Sequence, residues 1–250
     1  MSKKTFDIRK YWDDRLSSNL NLKGTGHRAF GIEYNNDLYR AQADCLTMLL
    51  DKWQVDLEGK RILDIGSGTG FYVDFYMKRG AQNICGLDIS ETSVKFLATR
   101  FPSCVFYVED ISRSSLDYLG DFDFISVISV LYHVIDDDLF KQAVKSLCSL
   151  CKIGGYLLIS DALKGLWLPS AKHARLRRLE EYQPFLEHFE FLELAPIYYF
   201  LNRSFIPVIG PKLIDLLKLG PVFYRLDDRL RKSGWNNGSG MKFLLARRVS

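Results

Sequence analysis

The apolar positions of this chain switch repeatedly between short unbroken runs and a helical repeat. Residues 61–65 (Arg-Ile-Leu-Asp-Ile) form an apolar run that enters a glycine-rich turn, and helical periodicity follows over 69–79. The alternation then recurs. A strand is predicted over 83–87, a helix over 91–101 with Val94, Leu97, Ala98 and Phe101 on one face, and a strand over 104–108. Residues 122–130 predict a buried central strand. Residues 136–151 predict a helix whose core face is Phe140, Ala143, Val144, Leu147, Leu150 and Cys151, ended by Gly154 and Gly155 before a strand over 156–160. Strands alternating with single helices imply right-handed crossovers and a mostly parallel sheet covered on both faces.

Beyond Asp161 the alternation loosens. Leu179, Tyr182, Phe185, Leu186 and Phe189 suggest one further helix, 191–201 an extended strand interrupted by Pro196, and 241–249 a final strand. About forty residues separate those two strands, more than an ordinary loop needs. Within them, 211–219 predicts a short amphipathic helix opened by Pro211 and stopped by Gly220, and 234–240 a turn. The expected organisation is one domain, with an N-terminal helical lid (1–55, including a helix from about Tyr34), a core (56–162) and a C-terminal half (163–250) with insertions at 163–178 and 202–240.

Composition adds little to this picture but removes some options. At 250 residues, 47% hydrophobic and 26% charged, the chain is an ordinary globular sequence, and a net charge of +4 is too mild to argue for a nucleic-acid footprint. The local basic run Lys172, His173, Arg175, Arg177, Arg178 reads first as a solvated helix face and second as a patch for structured RNA. The polar start and the lack of a membrane-length apolar run lead to an expected cytoplasmic location. Five scattered cysteines do not form a disulfide framework, and Cys148 with Cys151 lacks the second pair a zinc site needs.

The chemistry concentrates in Leu63-Asp64-Ile65-Gly66-Ser67-Gly68-Thr69-Gly70. Alternating glycines let the backbone fold sharply off a strand and let a ligand lie against bare main chain. A nicotinamide fingerprint would need glycine at 71, where Phe71 stands. Two further acids close the next strands: Asp88 in Gly86-Leu87-Asp88-Ile89, placed to accept from ribose hydroxyls, and Asp110 in Tyr107-Val108-Glu109-Asp110-Ile111, placed to accept from an adenine amino group with Ile89 and Ile111 beside the ring. Each acid alone reads equally well as a cap. Three on successive strand ends do not.

These stretches, with 122–138, resemble the successive motifs of class I S-adenosylmethionine-dependent methyltransferases of the small-molecule type, akin to types 11 and 12. The resemblance covers about a hundred residues in order. It implies a Rossmann-like α/β fold, a seven-stranded sheet of order 3-2-1-4-5-7-6 with the last strand antiparallel, helices on both faces and an N-terminal helical cap. It implies S-adenosyl-L-methionine as cofactor and S-adenosyl-L-homocysteine as product. Asp64, Gly66, Ser67, Gly68 and Gly70 would hold the methionine portion, Asp88 the ribose, and Asp110 with Ile89 and Ile111 the adenine. Ser129 would adjoin the same site, and Tyr11 and Trp12, in a segment similar to the family's lid helix, would cover the methionine end. The insertion at 202–240 would wall the acceptor pocket.

Methyl transfer from a sulfonium needs alignment and dry surroundings more than a base, but oxygen acceptors gain from one. His133, just past the central strand, is the first candidate. His27, in the glycine-punctuated loop Lys23-Gly24-Thr25-Gly26-His27-Arg28-Ala29-Phe30-Gly31, is the second, with the loop read as a lid segment; His173 and His188 read as exposed. Asp136, Asp137 and Asp138 read as first-turn acids favoured by the helix dipole rather than as metal ligands, so no metal is expected. The fourth strand lacks the Asn/Asp-Pro-Pro-Tyr/Phe motif of adenine methylation, and no Pro-Cys pair serves a cytosine mechanism. The expectation is O-methylation of a small organic or glycan-type acceptor. N-methylation, RNA methylation, and a cofactor-binding module without catalysis are the alternatives.

Overall fold

The computed structural model describes residues 7–163, 173–202, 210–237 and 240–250. Seven strands form one sheet: β1 Arg61–Ile65, β2 Asn83–Asp88, β3 Val105–Val108, β4 Phe122–Ile128, β5 Cys151–Asp161, β6 Phe189–Pro196 and β7 Lys242–Arg248. Their order is β3-β2-β1-β4-β5-β7-β6. The first five are parallel, and β7 runs antiparallel between β5 and β6. This is the Rossmann-like arrangement expected from the alternation and the resemblance.

The helices are α1 Ile8–Ser18, α2 Leu22–Thr25, α3 Ile32–Lys52, α4 Phe71–Lys78, α5 Glu91–Arg100, α6 Asp137–Leu150, α7 Leu179–Tyr182, α8 Pro211–Leu216 and α9 Gly220–Lys232. Two apolar cores sandwich the sheet. One joins α3 and α4 to Ile62, Phe124, Leu158, Phe243 and Leu245. The other joins α6 to Leu63, Ile125, Val127, Leu157, Ile159 and Leu244. Alternate strand residues face opposite layers, which is why these strands read as continuous apolar runs.

Several boundaries differ from the sequence reading. Gly154 and Gly155 do not end α6; that helix stops at Leu150, and both glycines lie inside β5. Gly154 adopts φ +83°, and a Cβ on Gly155 would meet the carbonyl oxygens of Lys152 and Asp123 at 2.9 and 3.1 Å, so they serve a strand irregularity. The apolar series from Leu179 to Phe189 is not one helix: α7 gives way to a 3-10 turn over Gln183–Phe185, and Phe189 already belongs to β6, which stops at Pro196 instead of reaching 201.

Gly220 does not stop a helix; it opens α9, which the sequence reading missed, with proline in the first turn. There a Cβ would lie 2.4 Å from Asp37 Oδ2. The preceding helix ends earlier, with Lys218 in a left-handed conformation at φ +49°. Asp227 of α9 is fully buried and accepts from the amides of Tyr199 (3.0 Å), Phe200 (2.6 Å) and Leu201 (3.2 Å), stapling the segment after β6. Among the described residues of 202–240, none lines the main cleft; α9 packs against α3 instead.

Candidate active site

The main cleft opens at the carboxyl ends of β1, β2, β3 and β4, where a parallel sheet leaves its loops free to diverge. Its volume is about 370 Å³, within the usual range for small-molecule sites. Its floor is the turn Gly66-Ser67-Gly68-Thr69, with Gly66, Gly68 and Gly70 at φ +74°, +54° and +80°. Side chains are disfavoured there twice over, since a Cβ on Gly66 would sit 2.2 Å from Val130 Cγ2 and one on Gly68 2.7 Å from Thr25 Cγ2. Gly70 lies behind the wall, where Phe101 and Leu97 leave no room for a side chain.

Asp88 lies on the cleft wall. One carboxylate oxygen accepts from Gly68 N (2.7 Å) and the other from Ser90 N (2.9 Å), so the residue ties the glycine turn to the start of α5. Burial raises its carboxyl above the ordinary range, and the two amide bonds counter the rise. Asp110 and Ile111 line the cleft with Ile89, and Asp110 Oδ1 accepts from the amide (2.9 Å) and hydroxyl (2.6 Å) of Ser112. Asp64 is different. It is 1% exposed, lies beneath the turn rather than on the wall, and takes a bond from Ser126 Oγ (2.7 Å) on Oδ1, while Oδ2 has no partner. Burial pushes its carboxyl up to about 7.

Helix α1 closes one side with Ile8, Trp12 and Leu16. Asp13 fastens it to the start of α5, accepting from Ser90 Oγ (2.6 Å) and Thr92 N (3.3 Å). The Arg15 guanidinium, 5.0 Å from the Trp12 ring, donates to the Gly26 and Lys23 carbonyls and so ties α1 to the next loop. Tyr11 is not on the cleft wall; its ring stacks on His173 at 5.4 Å.

His133 lines the cleft in the 3-10 turn after β4, its ring edge-on to Trp12 at 5.1 Å. Its Nδ1 is 2.9 Å from the His173 carbonyl; a carbonyl only accepts, so the proton is assigned to Nδ1 and Nε2 keeps its lone pair. Burial pushes the imidazole down to about 4, which makes it neutral at pH 7. Ser129, at φ +60°, ends β4 on the same wall. His173 is therefore not the exposed residue the basic run suggested, whereas His188 is exposed at the far end of the sheet.

The structure also corrects the reading of His27. It is not on the described cleft lining: its Nδ1 accepts from Ala29 N (3.3 Å) and its ring rests edge-on against Phe30. Phe30 is buried and stacks on Tyr34 at 4.0 Å, so the loop is anchored on the core through Phe30 while Arg28 and Ala29 stay exposed. Its glycines permit close backbone approach; a Cβ on Gly24 would lie 1.9 Å from the Asn19 carbonyl.

The basic run is not a helix face either. Arg177 is buried over the Phe140 ring at 3.8 Å, and it pairs with Asp137 at 3.2 Å; Arg175 pairs with Asp137 at 2.7 Å. Lys172 lies outside the described residues. Asp136 caps α6 by accepting from Asp138 N and Leu139 N, and Asp138 pairs with Lys141.

Gln42, Tyr72 and Thr25 escaped the sequence reading. All three line the cleft; Gln42 bonds the hydroxyls of Tyr72 and Tyr198, and Tyr39 OH donates to Thr25 Oγ1 at 2.8 Å. The signal for Gln42 was available: it is an amide set within the apolar stripe Leu38, Ala41, Cys45, Leu46, Leu49 of α3.

Comparison with known proteins agrees with this geometry. A family model described as a methyltransferase domain matches residues 34–197. The ubiquinone biosynthesis O-methyltransferase of Alkalilimnicola ehrlichii is 32% identical over 110 residues, 42% of each chain, so the chain spans about two fifths of the length of that curated relative. Magnesium protoporphyrin IX methyltransferase from Synechocystis PCC 6803, solved with bound SAM, superposes with TM-score 0.62 at 17% identity, covering 99% of this chain and all of that one. The N-methyltransferase NodS from Bradyrhizobium japonicum WM9, solved with S-adenosyl-L-homocysteine, gives TM-score 0.63 at 13% identity, covering 98% of this chain and all of that one.

Proposed function

The chain belongs to the methyltransferase-domain family, and we propose that it transfers a methyl group from S-adenosyl-L-methionine to a hydroxyl of a small organic or glycan-type acceptor. The observation that carries this reading is the meeting, in one cleft, of the Gly66–Thr69 turn, Asp88 and a neutral His133 with a free Nε2.

The residues fit the cofactor. The left-handed glycine turn offers a surface without side chains, and Asp88 and Asp110 are acceptors on neighbouring strand ends, with Ile89 and Ile111 as apolar flanks. The unpaired Oδ2 of Asp64 lies beneath the turn, where a cation bound above it would draw the carboxyl, pushed up to about 7 by burial, into its ionised form. On this reading Gly66, Ser67 and Gly68 hold the methionine portion, with Asp64 beneath the turn and Gly70 behind it supporting them, Asp88 the ribose, and Asp110 with Ile111 the adenine; Ser129, Trp12 and, behind it, Tyr11 enclose the methionine end. When bound, the cofactor supplies an activated methyl group for in-line displacement.

The rest falls to the chain's own side chains. Trp12, Leu16, Phe71 and Tyr72 exclude water, and Thr25, Tyr39 and Gln42 offer polar atoms for orienting an acceptor. His133 Nε2 accepts the hydroxyl proton as the oxygen becomes nucleophilic, while the His173 carbonyl holds the ring in register. The charged members of the described lining are Asp88, Glu109, Asp110, Arg113 and Asp136, none of them from α1, α2 or α3. That distribution favours an uncharged acceptor at the helical side. Arg175 and Arg177 are engaged by Asp137, which argues against their use on RNA. Among the described residues no helix is long and apolar enough to cross a membrane, and we place the reaction in the cytoplasm.

The test is incubation with methyl-labelled cofactor and a panel of neutral phenols, sugars and amines. Label in a phenol or sugar ether supports the proposal, whereas label confined to amines overturns its oxygen specificity.

A further inference from the structure

Outside the cleft, the strongest unexplained feature is the outward surface of α8 and the first turns of α9. The inward side is accounted for: Ile214 is buried, Leu219, Phe223 and Tyr224 pack against the core that includes α3, and Asp215 accepts from Gly31 N at 2.7 Å. Four of the residues left facing outward are large and apolar. Leu213 is 40% exposed, Leu216 76%, Leu217 55% and Val222 49%. Leu213, Leu216 and Leu217 have the spacing of one helix face, and Val222 follows at the start of α9, one short turn away. Monomeric surfaces seldom cluster bare leucines without using them.

The cations around this tip are unpaired among the described residues, although Asp37 lies beside Gly220. Lys212, Lys218, Arg225 and Arg229 are all exposed and make no ion pair among the described residues. The acids of the segment are occupied: Asp215 by Gly31, Asp227 by three amides, and Asp228 by Lys232 at 2.8 Å. The net result is an apolar wedge beside uncompensated cations.

We propose that this face docks on the surface of an anionic phospholipid bilayer, with the leucines entering the headgroup boundary and the cations meeting lipid phosphates. A few leucines on a six-residue helix suit shallow insertion of about 5–10 Å. A second copy of the chain fits less well, because a two-fold interface would set the same four cations against themselves. A nucleic acid would account for the cations but not for the bare leucines.

The experiment is co-sedimentation of the full chain with phosphatidylcholine vesicles, with and without phosphatidylglycerol. Binding is expected only to the anionic vesicles and should weaken as salt rises. Lys212→Glu and Arg225→Glu should each lower the partition constant about fivefold or more. Leu216→Ser with Leu217→Ser should lower it about tenfold. Melting temperature and S-adenosyl-L-homocysteine affinity should stay unchanged in all of them, since none of these side chains lines the cleft. Equal binding to both vesicles, or binding indifferent to the leucine pair, overturns the proposal. So does self-association in sedimentation velocity that the leucine pair abolishes, or RNA retention lost only in the charge variants.

Discussion

Replacing Asp64 by Asn should raise the stability of the ligand-free protein above pH 7 while weakening cofactor binding. The carboxyl is buried with one oxygen unpaired, and its ordinary value of 3.8 is pushed up to about 7. Between those values the native state holds a proton that the unfolded chain has released, so stability is fullest below about pH 4 and is lost as pH rises through 7. The loss amounts to about 4 kcal/mol at most for a shift of this size, with about 2 kcal/mol a reasonable return after relaxation. Thermal melts at pH 5 and pH 8 read this directly: Asp64→Asn should melt higher than the parent at pH 8 and near it at pH 5. S-adenosyl-L-methionine carries a sulfonium charge that, bound above the carboxyl, favours its ionised form, so calorimetry with S-adenosyl-L-methionine near pH 7 should show proton release. The apparent enthalpy should then change with the ionisation enthalpy of the buffer, and that dependence should vanish in Asp64→Asn. A parent enthalpy independent of buffer, or a variant less stable at both pH values, would refute the reasoning.

Three other outcomes are expected. His133→Ala should lower turnover by roughly 10²- to 10⁴-fold with cofactor affinity nearly unchanged, and the parent's rate should fall only as pH drops toward 4, because the base works unprotonated and its imidazole lies near 4; stopped-time assays across pH 4 to 8, a range set by that value, check both. Asp88→Ala should cost about 1.5–3 kcal/mol of S-adenosyl-L-homocysteine binding in calorimetry, and because it also strips acceptors from Gly68 N and Ser90 N, it should lower the melting temperature as well. Gly68→Ala should destabilise the fold by about 1–2 kcal/mol in urea unfolding; Thr25→Ser in the same chain should relieve the 2.7 Å contact without relieving the left-handed backbone, giving partial recovery.

The β1-to-α5 region was legible because its signals are local: an apolar run, a turn only glycine tolerates, and an acid closing each strand. The order of the sheet was legible only through the resemblance, since strand pairing between β5, β7 and β6 depends on contacts far apart in sequence. The C-terminal half was read poorly for the same reason. Gly220 looks like a stop until Asp37 and Tyr34 are seen against it, and Asp227 looks like surface charge until three amides converge on it. Arg177 misled in the same way, because burial over Phe140 beside Asp137 is a tertiary event that no charge run announces. His27 illustrates the converse, in that the glycines of a loop read as a lid segment serve close backbone approach to Asn19 and Asn35.

The fastening of α1 at Asp13 couples two walls of the cleft. The helix that carries Trp12 against His133 is the same helix whose Asp13 grips Ser90, two residues past Asp88. Any displacement of α1 would therefore part Trp12 from His133 and break the Asp13–Ser90 bond together, so the two walls of the cleft cannot open independently.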